Sequence, residues 1–522
     1  EVVLEQPKLQ IQPTGTTPGE VPDMSALAEA ADRLARLALA QLSARGIQRI
    51  EIVSAEVVAY AGQTYRTSGI DAVLRREGQD TLQMETEVAG RMGRWRANLR
   101  RSVDPGSGER LLGLDIKDVT LGEFMPLETQ MRAGRGLGIP VRIRLDTSLD
   151  KDGGFVSSRA GLSVSPGGIN TGRTVVSFDR FDLQLVWEAG RPGFRVAPSV
   201  YARGNTVVPF EGMVEPPRAW QELWSFQLVS RNGRIGPSDV PGPPFAMNAL
   251  AVEGRADLMQ RELHFDNIAL RSGTAQLDGA GSLKIAADGP YLALAMESGP
   301  MPLATLKRIW PITVAPPARA WVIEHMIDGR VLGGSATVAL QPPAFDHLDP
   351  DPGWSGDDMQ IEIAFDDLSL KTVGTVPVAQ GLAGRLQVAN EILTVSSDQG
   401  VMVVRPDEQL SIEKIDFAIP DLRESGVKTG DLALTLAGPA ASLGGVLDSK
   451  PFEVLSKNDV TPDDLGGGGS LSLTARFALE NDVPLEEVDW TLKGDLKGFS
   501  NAVPIRGHKM RRADLSFEVD PG

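Results

Sequence analysis

A regular alternation of apolar and polar residues is the feature of this sequence that most constrains its fold. Residues 141–146, Val-Arg-Ile-Arg-Leu-Asp, show it most clearly. Successive side chains of a β-strand point to opposite faces, so each alternating segment has one aliphatic face and one polar face. The pattern recurs at residues 9–12, 181–185, 361–365, 432–436, 471–477, 490–496 and 513–519. The chain is therefore predicted to be mainly β, with mostly antiparallel strands.

Turn-forming residues separate these segments. Asp104-Pro105-Gly106 and Asp288-Gly289-Pro290 are two such turns, and the 522 residues include 56 glycines and 36 prolines. Glycine and proline punctuate a chain because one permits and the other fixes unusual backbone angles. Many short strands joined by tight turns are predicted.

Two helical regions interrupt the strands. The first is predicted near residues 23–45 and the second over residues 303–328, where three prolines break it into two pieces. The predicted apolar face of the first helix is Leu27, Ala31, Leu34, Ala38 and Leu42. The second region divides the chain into two predicted segments, 1–300 and 301–522.

Linker-like composition is found at residues 13–22, 236–244, 341–358 and 456–469. The last stretch ends in four glycines, 466–469, which are interpreted as a flexible linker or a break at a strand edge. The alternation also reaches both ends of the sequence. The chain is therefore expected to be a soluble part of a longer protein, with any membrane anchor outside it.

Signatures of chemistry are scarce. The chain has no cysteine, and 52 basic against 69 acidic residues give a net charge of −17, which disfavours nucleic acid. His264, His325, His347 and His508 are widely separated, and no nucleophile elbow, zinc-binding helix or P-loop is present. We predict no catalytic residue, no metal and no cofactor, and hence no enzyme. The glycine-rich residues 134–138 are interpreted as a connector, and residues 349–358 as a solvated acidic loop, with calcium binding as the alternative.

The aliphatic strand faces leave two interpretations open. They fill the dry core of a β-sandwich, or they line an apolar channel that is open to lipid. Aromatic residues make up only 5% of the chain, with 4 tyrosines, and smooth aliphatic faces suit flexible acyl chains. Composition by itself does not choose between the two.

One block resembles a known family. Residues 303–311, Leu-Ala-Thr-Leu-Lys-Arg-Ile-Trp-Pro, precede residues 317–322, Pro-Ala-Arg-Ala-Trp-Val, and then Gly329-Arg330-Val331. This block resembles the signature of the AsmA-like proteins, in their YhdP-type branch. The predicted helix leading into residues 50–57, Ile419-Pro420-Asp421 and residues 443–451 are similar to other parts of these proteins.

The resemblance implies a fold and a function. It implies an elongated, twisted antiparallel β-sheet curled into an open, taco-like apolar groove with a few amphipathic helices, to which both predicted segments contribute. It also implies a periplasmic, inner-membrane-anchored lipid transfer protein that moves phospholipids between the inner and outer membranes and supports outer-membrane lipid homeostasis. Membrane contact is expected through segments outside this chain or through membrane partner proteins, because the net acidity disfavours direct docking on anionic lipid.

Candidate residues follow from the alternation and this implied groove. Trp310 and Trp321 are expected to pack the helical element onto the sheet, with gating of the groove as the functional alternative. The candidate groove residues are Val141, Ile143, Leu145, Leu183, Leu185, Leu432, Leu434, Leu436, Leu471 and Leu473.

Two rival functions remain open. An exported adhesin or β-solenoid passenger is also acidic, free of cysteine and rich in strands, but its core is filled. A carbohydrate-active β-helix enzyme would bring its carboxylates together only in three dimensions. Bound phospholipid distinguishes the lipid carrier from both.

Overall fold

The computed structural model confirms a mainly β protein, with 62% of the residues in strands. It describes residues 1–11, 24–61, 63–120, 123, 139–170, 175–217, 223–286, 288–311, 316–345, 353–372, 374–405, 407–424, 426–450, 452–480, 483–504 and 508–520. The chain forms two compact units. Unit 1 comprises residues 1–239, 246–268 and 282–290, and unit 2 comprises residues 240–245, 269–281 and 291–522.

The structure has thirty strands within the described residues. The first fifteen are β1 (Val2–Glu5), β2 (Lys8–Ile11), β3 (Arg49–Ala61), β4 (Gln63–Glu77), β5 (Thr81–Gly90), β6 (Gly93–Val103), β7 (Arg110–Thr120), β8 (Pro140–Leu149), β9 (Phe155–Val164), β10 (Gly167–Asn170), β11 (Val175–Phe178), β12 (Arg180–Glu188), β13 (Phe194–Arg203), β14 (Thr206–Glu215) and β15 (Trp224–Ile235). The next fifteen are β16 (Phe245–Asp257), β17 (Glu262–Ser272), β18 (Ala275–Ile285), β19 (Pro290–Ser298), β20 (Met301–Pro302), β21 (Met326–Leu340), β22 (Met359–Leu370), β23 (Ala379–Ala389), β24 (Ile392–Ser397), β25 (Val401–Arg405), β26 (Glu408–Ile419), β27 (Thr429–Pro439), β28 (Leu465–Ala478), β29 (Asp489–Asn501) and β30 (Ala513–Val519). The alternating segments identified in the sequence lie in strands, apart from residue 12, which is outside the described residues.

Helices are few. The α-helices within the described residues are α1 (Met24–Ala44), α2 (Leu303–Ile309), α3 (Pro316–His325) and α4 (Ala440–Leu447). Single 3₁₀ turns occupy Pro342–Phe345, Gly356–Asp358, Ser456–Asn458, Pro462–Asp464 and Leu485–Glu487. The first helix therefore agrees with the predicted region 23–45 to within one residue at each end.

The sheet of unit 1 is a ladder of neighbouring strands. From β3 to β9 each strand pairs antiparallel with the next, and β9 then pairs with β12, which continues through β13 and β14 to β15. Two strands depart from the predicted antiparallel arrangement, because β1 and β2 both pair parallel with β3. Together they cover one edge of β3 along most of its length.

The sheet of unit 2 follows the same plan. β19, β21, β22 and β23 pair antiparallel in that order, and β23 pairs with both β24 and β25. Both of these strands pair with β26, from which the ladder continues to β30. Register shifts interrupt several ladders, one of them at Asp118 with a φ of 61° and another at Asp367 with a φ of 54°. Such bulges bend a strand and increase its twist.

The predicted helical element at 303–328 is shorter than expected. Its second helix ends at His325, and residues 326–328 already belong to β21, where Met326 pairs with Leu370 and Asp328 with Ser369. Strand pairing satisfies the backbone of these residues, so the helix does not continue to the glycine at 329.

The four glycines at 466–469 were wrongly interpreted as a linker or a strand edge. They lie inside β28, which pairs with β27 on one side and β29 on the other. Gly467 has a φ of 93° at a register shift, and a Cβ on Gly469 would lie 2.0 Å from the backbone oxygen of Asp495. Glycine is required there by close strand approach.

The predicted apolar face of the first helix is only partly right. Leu42 is buried with Leu39 and Leu82, and Ala38 packs against them, whereas Leu27, Ala31 and Leu34 are exposed. The cause is the buried carboxylate of Asp32, which turns its own side of α1 towards the sheet. Residues 13–22, 134–138 and 349–352 lie outside the described residues.

Candidate apolar binding faces

One continuous row of aliphatic side chains crosses the sheet of unit 1. Directly opposite residues of paired strands share a face, so the strand register identifies the row. Its members are Ile50, Leu74, Met84, Leu99, Leu114, Leu145, Ala160, Leu185 and Val196. They belong to nine strands, and eight spacings of ~4.8 Å make the row about 38 Å long.

A second row lies beside it on the same face. Its members are Ile52, Ala72, Thr86, Ala97, Ile116, Ile143, Leu162 and Leu183. We call these two rows, together with Val141 and Leu149 on the same side of β8, the unit 1 apolar face.

This face is covered near the strand ends and open between them. Val141 and Leu149, close to the two ends of β8, are at most 1% exposed. Ile143 and Leu145 between them are only half-buried, and Leu99 of the first row is 40% exposed. Apolar atoms along the middle of the face therefore remain accessible to a ligand.

The predicted groove residues of unit 1 come together on this face. Leu162 lies opposite both Ile143 and Leu183, and Ala160 lies opposite both Leu145 and Leu185. Strand β9 thus connects the two predicted segments through residues of the same parity. The alternate residues of β8, such as Arg142 and Arg144, are exposed on the other face.

Unit 2 has a comparable apolar face. Leu434 lies opposite Leu473, and Leu436 lies opposite Leu471, so these four predicted groove residues share a face with Leu432. A half-buried row passes through this position. We define the unit 2 apolar face as this row together with Leu434, Leu436, Leu471 and Leu473; the row is Ile363, Leu386, Val395, Phe417, Leu432, Ala475 and Trp490.

Helix α4 covers one end of the unit 2 apolar face. Leu436 and Leu471 are buried in the same cluster as Leu443 of α4. Leu434 and Leu473, one row further from the helix, are half-buried. Both units therefore combine a helix-covered end with a partly open aliphatic surface.

The covered end of the unit 1 face contains a buried ion cluster. Arg101, opposite Leu82 and Leu112 on the inward side, and Arg110 both donate to Asp32 of α1, at 3.0 and 2.8 Å. Burial by itself raises the pKa of the Asp32 carboxyl, but the hydrogen bonds and charges of the two arginines outweigh it and hold that pKa below its ordinary value. The cluster fixes which side of α1 meets the sheet.

Helices α2 and α3 are joined by reciprocal cation-to-carbonyl contacts. Arg319 of α3 donates from Nη1 to the carbonyl oxygens of Lys307 and Trp310, at 2.7 and 2.8 Å, at the end of α2. Lys307 of α2 donates from Nζ to the carbonyl oxygens of Ile323 and Met326. Burial lowers the pKa of the Lys307 ammonium group, and the nearby charge of Arg308 adds to this effect. Each cation thus satisfies carbonyls at the end of the other helix.

The two predicted tryptophans have different surroundings. Trp310 is half-buried at the end of α2. Trp321 is 46% exposed and stacks on His325, with ring centroids 4.9 Å apart, so the expectation that it packs onto the sheet is wrong. Gating by this helical element stays a prediction.

The opposite faces of the strands are charged. Arg142 and Asp115 form a bidentate pair at 2.8 Å, and Arg476 pairs with Asp431 at 2.6 and 2.9 Å. Hydrogen bonds from these arginines hold the pKa of the Asp115 and Asp431 carboxyls below the usual range. Shallow depressions on these faces lie between rows of such side chains. Asp115 and Asp431, which line these depressions, are both held in ion pairs.

Sequence reasoning missed much of each row. Met84, Leu99 and Leu114 lie beside the predicted residues in unit 1, and Leu386 and Val395 do so in unit 2. The alternation in Leu112-Gly113-Leu114-Asp115-Ile116 was an available signal. Asp32 and Arg101, 69 residues apart, carried no such signal.

Metal and membrane-spanning features were sought in the part of the chain that the structure describes. No group of three or more His, Cys, Asp or Glu side chains is arranged there to hold a metal ion. None of the helices described above combines the length and apolar character needed to cross a membrane.

No protein-family model matches the chain, and no curated protein or solved structure matches it significantly. The resemblance to the AsmA-like proteins therefore stays a prediction based on the residues quoted for it.

Proposed function

We propose that this chain is a periplasmic segment of a bridge-like lipid transfer protein that moves phospholipids between the inner and outer membranes. The observation that carries the proposal is the aliphatic row across nine strands of unit 1, whose middle is only half-buried. Acyl chains would lie on this face and on the unit 2 apolar face, while headgroups stay in water. Membrane contact through segments outside the chain, and through partner proteins, is part of the same proposal.

The energetics support such a carrier. Each CH₂ group removed from water contributes about 0.8 kcal/mol, so an acyl chain crossing an aqueous space needs a continuous apolar surface. The unit 1 row, about 38 Å long, exceeds the ~30 Å hydrocarbon thickness of a bilayer, which holds two acyl chains end to end. Transfer along such a surface requires no covalent step.

The exposure of the faces disfavours the rival filled core. An adhesin or solenoid passenger excludes water from its inward side chains by packing them against one another. Here Leu99, Ile143 and Leu145 keep accessible surface on the inward side, as do Leu434 and Leu473. A bound apolar ligand would cover these groups.

The test is mass spectrometry of solvent extracts from the detergent-free protein, with a soluble protein of similar size as the control. We expect phospholipid at one or more molecules per chain. Leu145→Asp places a charge in the unit 1 row and should lower the lipid content, whereas Leu111→Asp, at an exposed leucine on the other face of β7, should not. A lipid-free extract, or equal lipid in both variants, would contradict the proposal.

A further inference from the structure

Helix α1 has a second apolar side that does not face the sheet. Leu27, Leu34 and Leu37 are 54%, 68% and 59% exposed, whereas Leu39 and Leu42 of the same helix are buried. At about 100° per residue, Leu34 lies about 20° from Leu27 around the helix axis and Leu37 about 80°. The three leucines therefore form one exposed stripe, with the alanines at 26 and 31 exposed beside them.

The charges of α1 are divided between its two sides. Its acidic residues are Glu29 and Asp32, and both point towards the sheet: Asp32 is buried against Arg101, and Glu29 accepts a hydrogen bond from the backbone N–H of Phe155. Arg33, together with Arg45 just beyond the helix, is exposed, whereas Arg36 pairs with the buried Asp32 at 3.0 Å. Although the chain carries a net charge of −17, the outer side of α1 presents leucines and cations and no exposed carboxylate of its own.

We propose that α1 docks unit 1 on an anionic bilayer surface, with the helix lying in the plane of the interface. Leucines on one side and arginines beside them are the features by which an amphipathic helix binds the headgroup region of an anionic membrane. The helix is 21 residues long, about 30 Å, which suffices for such a contact. The net acidity of the chain does not prevent it, because screening confines the effective field to about 8–10 Å.

A second copy of this chain is a poorer occupant of the stripe. A symmetric dimer through α1 would bring the same exposed arginines, Arg33 above all, towards their own counterparts. An anionic lipid surface instead places negative charge opposite Arg33 and Arg45. The proposal concerns docking and stands whether or not the apolar faces carry lipid.

Vesicle flotation tests the proposal with the full chain. The probes are vesicles of phosphatidylethanolamine containing a quarter phosphatidylglycerol, and vesicles of phosphatidylcholine alone. We expect binding to the anionic vesicles that weakens as salt is raised. The triple variant Leu27→Gln, Leu34→Gln, Leu37→Gln should lower this binding by about tenfold or more, because three exposed side chains lose their apolar contact with the interface.

Two further variants make the result specific. Leu258→Gln with Met259→Gln alters two equally exposed apolar residues in a turn of unit 1 and should leave binding unchanged. Arg33→Glu with Arg45→Glu should weaken binding to the anionic vesicles alone. Circular dichroism and the lipid content of the purified variants report separately on folding and on lipid carriage.

Each outcome bears on docking. Loss of vesicle binding in the α1 variants, with folding and lipid content retained, supports it. Failure of the wild-type chain to float with anionic vesicles overturns it, as does equal binding by the triple variant. Self-association that the leucine substitutions abolish, without any vesicle binding, would assign the stripe to a second copy and would also overturn it.

Discussion

At the scale of single residues, the buried carboxylate of Asp32 has the largest structural consequence. It is 1% exposed and is contacted by Arg36, Arg101 and Arg110 within 3.0 Å. A buried charge is tolerated only when it is paired and hydrogen-bonded, and removing one member leaves the others uncompensated. Asp32 therefore determines the rotation of α1 on the sheet.

Replacing Asp32 with Asn should destabilise unit 1 by about 3 kcal/mol, because Arg101 would remain buried without its carboxylate. Hydrogen exchange resolved by peptide, with urea unfolding of the full chain, measures this loss. Asp266→Asn breaks the half-exposed pair with Arg255 in the same unit and should cost less than about 1 kcal/mol. Equal losses in the two variants would contradict the role assigned to the buried cluster.

The contribution of Asp32 should also depend on pH in one direction. The folded pKa of its carboxyl is lower than the ordinary value of 3.8 that applies when the chain is unfolded. Its stabilisation is therefore complete well above pH 3.8 and is lost as the pH falls through the lower folded value. The stability difference between the wild type and Asp32→Asn should shrink in acid-unfolding titrations below that pH and stay constant near neutrality.

At the scale of elements, α1 combines a buried side and an exposed side that sequence periodicity does not distinguish. Leu39→Ala should cost about 2–5 kcal/mol, because the side chain is buried against Leu82 and its removal leaves a cavity. Leu34→Ala, five residues earlier and exposed to solvent, should change stability by about 0.5 kcal/mol or less. Urea midpoints of the two variants compare them directly; a larger loss for Leu34 would mean that the helix is rotated on the sheet.

The glycine run in β28 is a second feature of this scale. A Cβ at Gly469 would meet the Asp495 carbonyl oxygen at 2.0 Å, so Gly469→Ala should force the strands apart and cost about 1–3 kcal/mol or more. Gly273→Ala has open space around the added methyl group and serves as the control, with an expected change of about 0.5 kcal/mol or less. Thermal unfolding measures both; an unchanged midpoint for Gly469→Ala would show that the strands can separate at no cost.

At the scale of the whole molecule, the two units follow one plan. Each has a sheet with an aliphatic and a charged face, and in each a helix covers one end of the aliphatic face, α1 in unit 1 and α4 in unit 2. Cross-strand ion pairs such as Arg142–Asp115 and Arg476–Asp431 keep the other faces in water. If both aliphatic faces bind acyl chains, a substitution on one face should remove the lipid bound there and leave the lipid on the other face.

Leu434→Asp should lower the lipid content of the chain, because it places a carboxylate on the unit 2 apolar face. Val403→Asp, at an exposed valine on the opposite side of β25, is its control. The double variant Leu145→Asp, Leu434→Asp should lose more lipid than either single variant in extracts analysed by mass spectrometry. A double variant with wild-type lipid content would show that neither apolar face binds the lipid.

The sequence alone was sufficient for the strands whose residues alternate clearly and for the parity of their faces. The alternation at residues 141–146 and 432–436 predicted β8 and β27, and the aliphatic residues of each lie on one side. Strand periodicity is a local property, since neighbouring side chains of a strand must point in opposite directions. The same locality explains why the start of α1 was predicted to within one residue.

Only the tertiary structure decided which surfaces meet. From the sequence, the leucines of α1 at 27 and 34 could face either the sheet or solvent. They face solvent because Arg101, 69 residues beyond Asp32, holds the Asp32 side of the helix against the sheet. The glycines at 466–469 are part of β28 because the neighbouring strand, which contains Asp495, pairs with them. The rows of each apolar face are likewise formed only by the register between paired strands. Local sequence determines which side chains share a face of a strand or helix, whereas residues distant in the chain determine which other surface that face packs against.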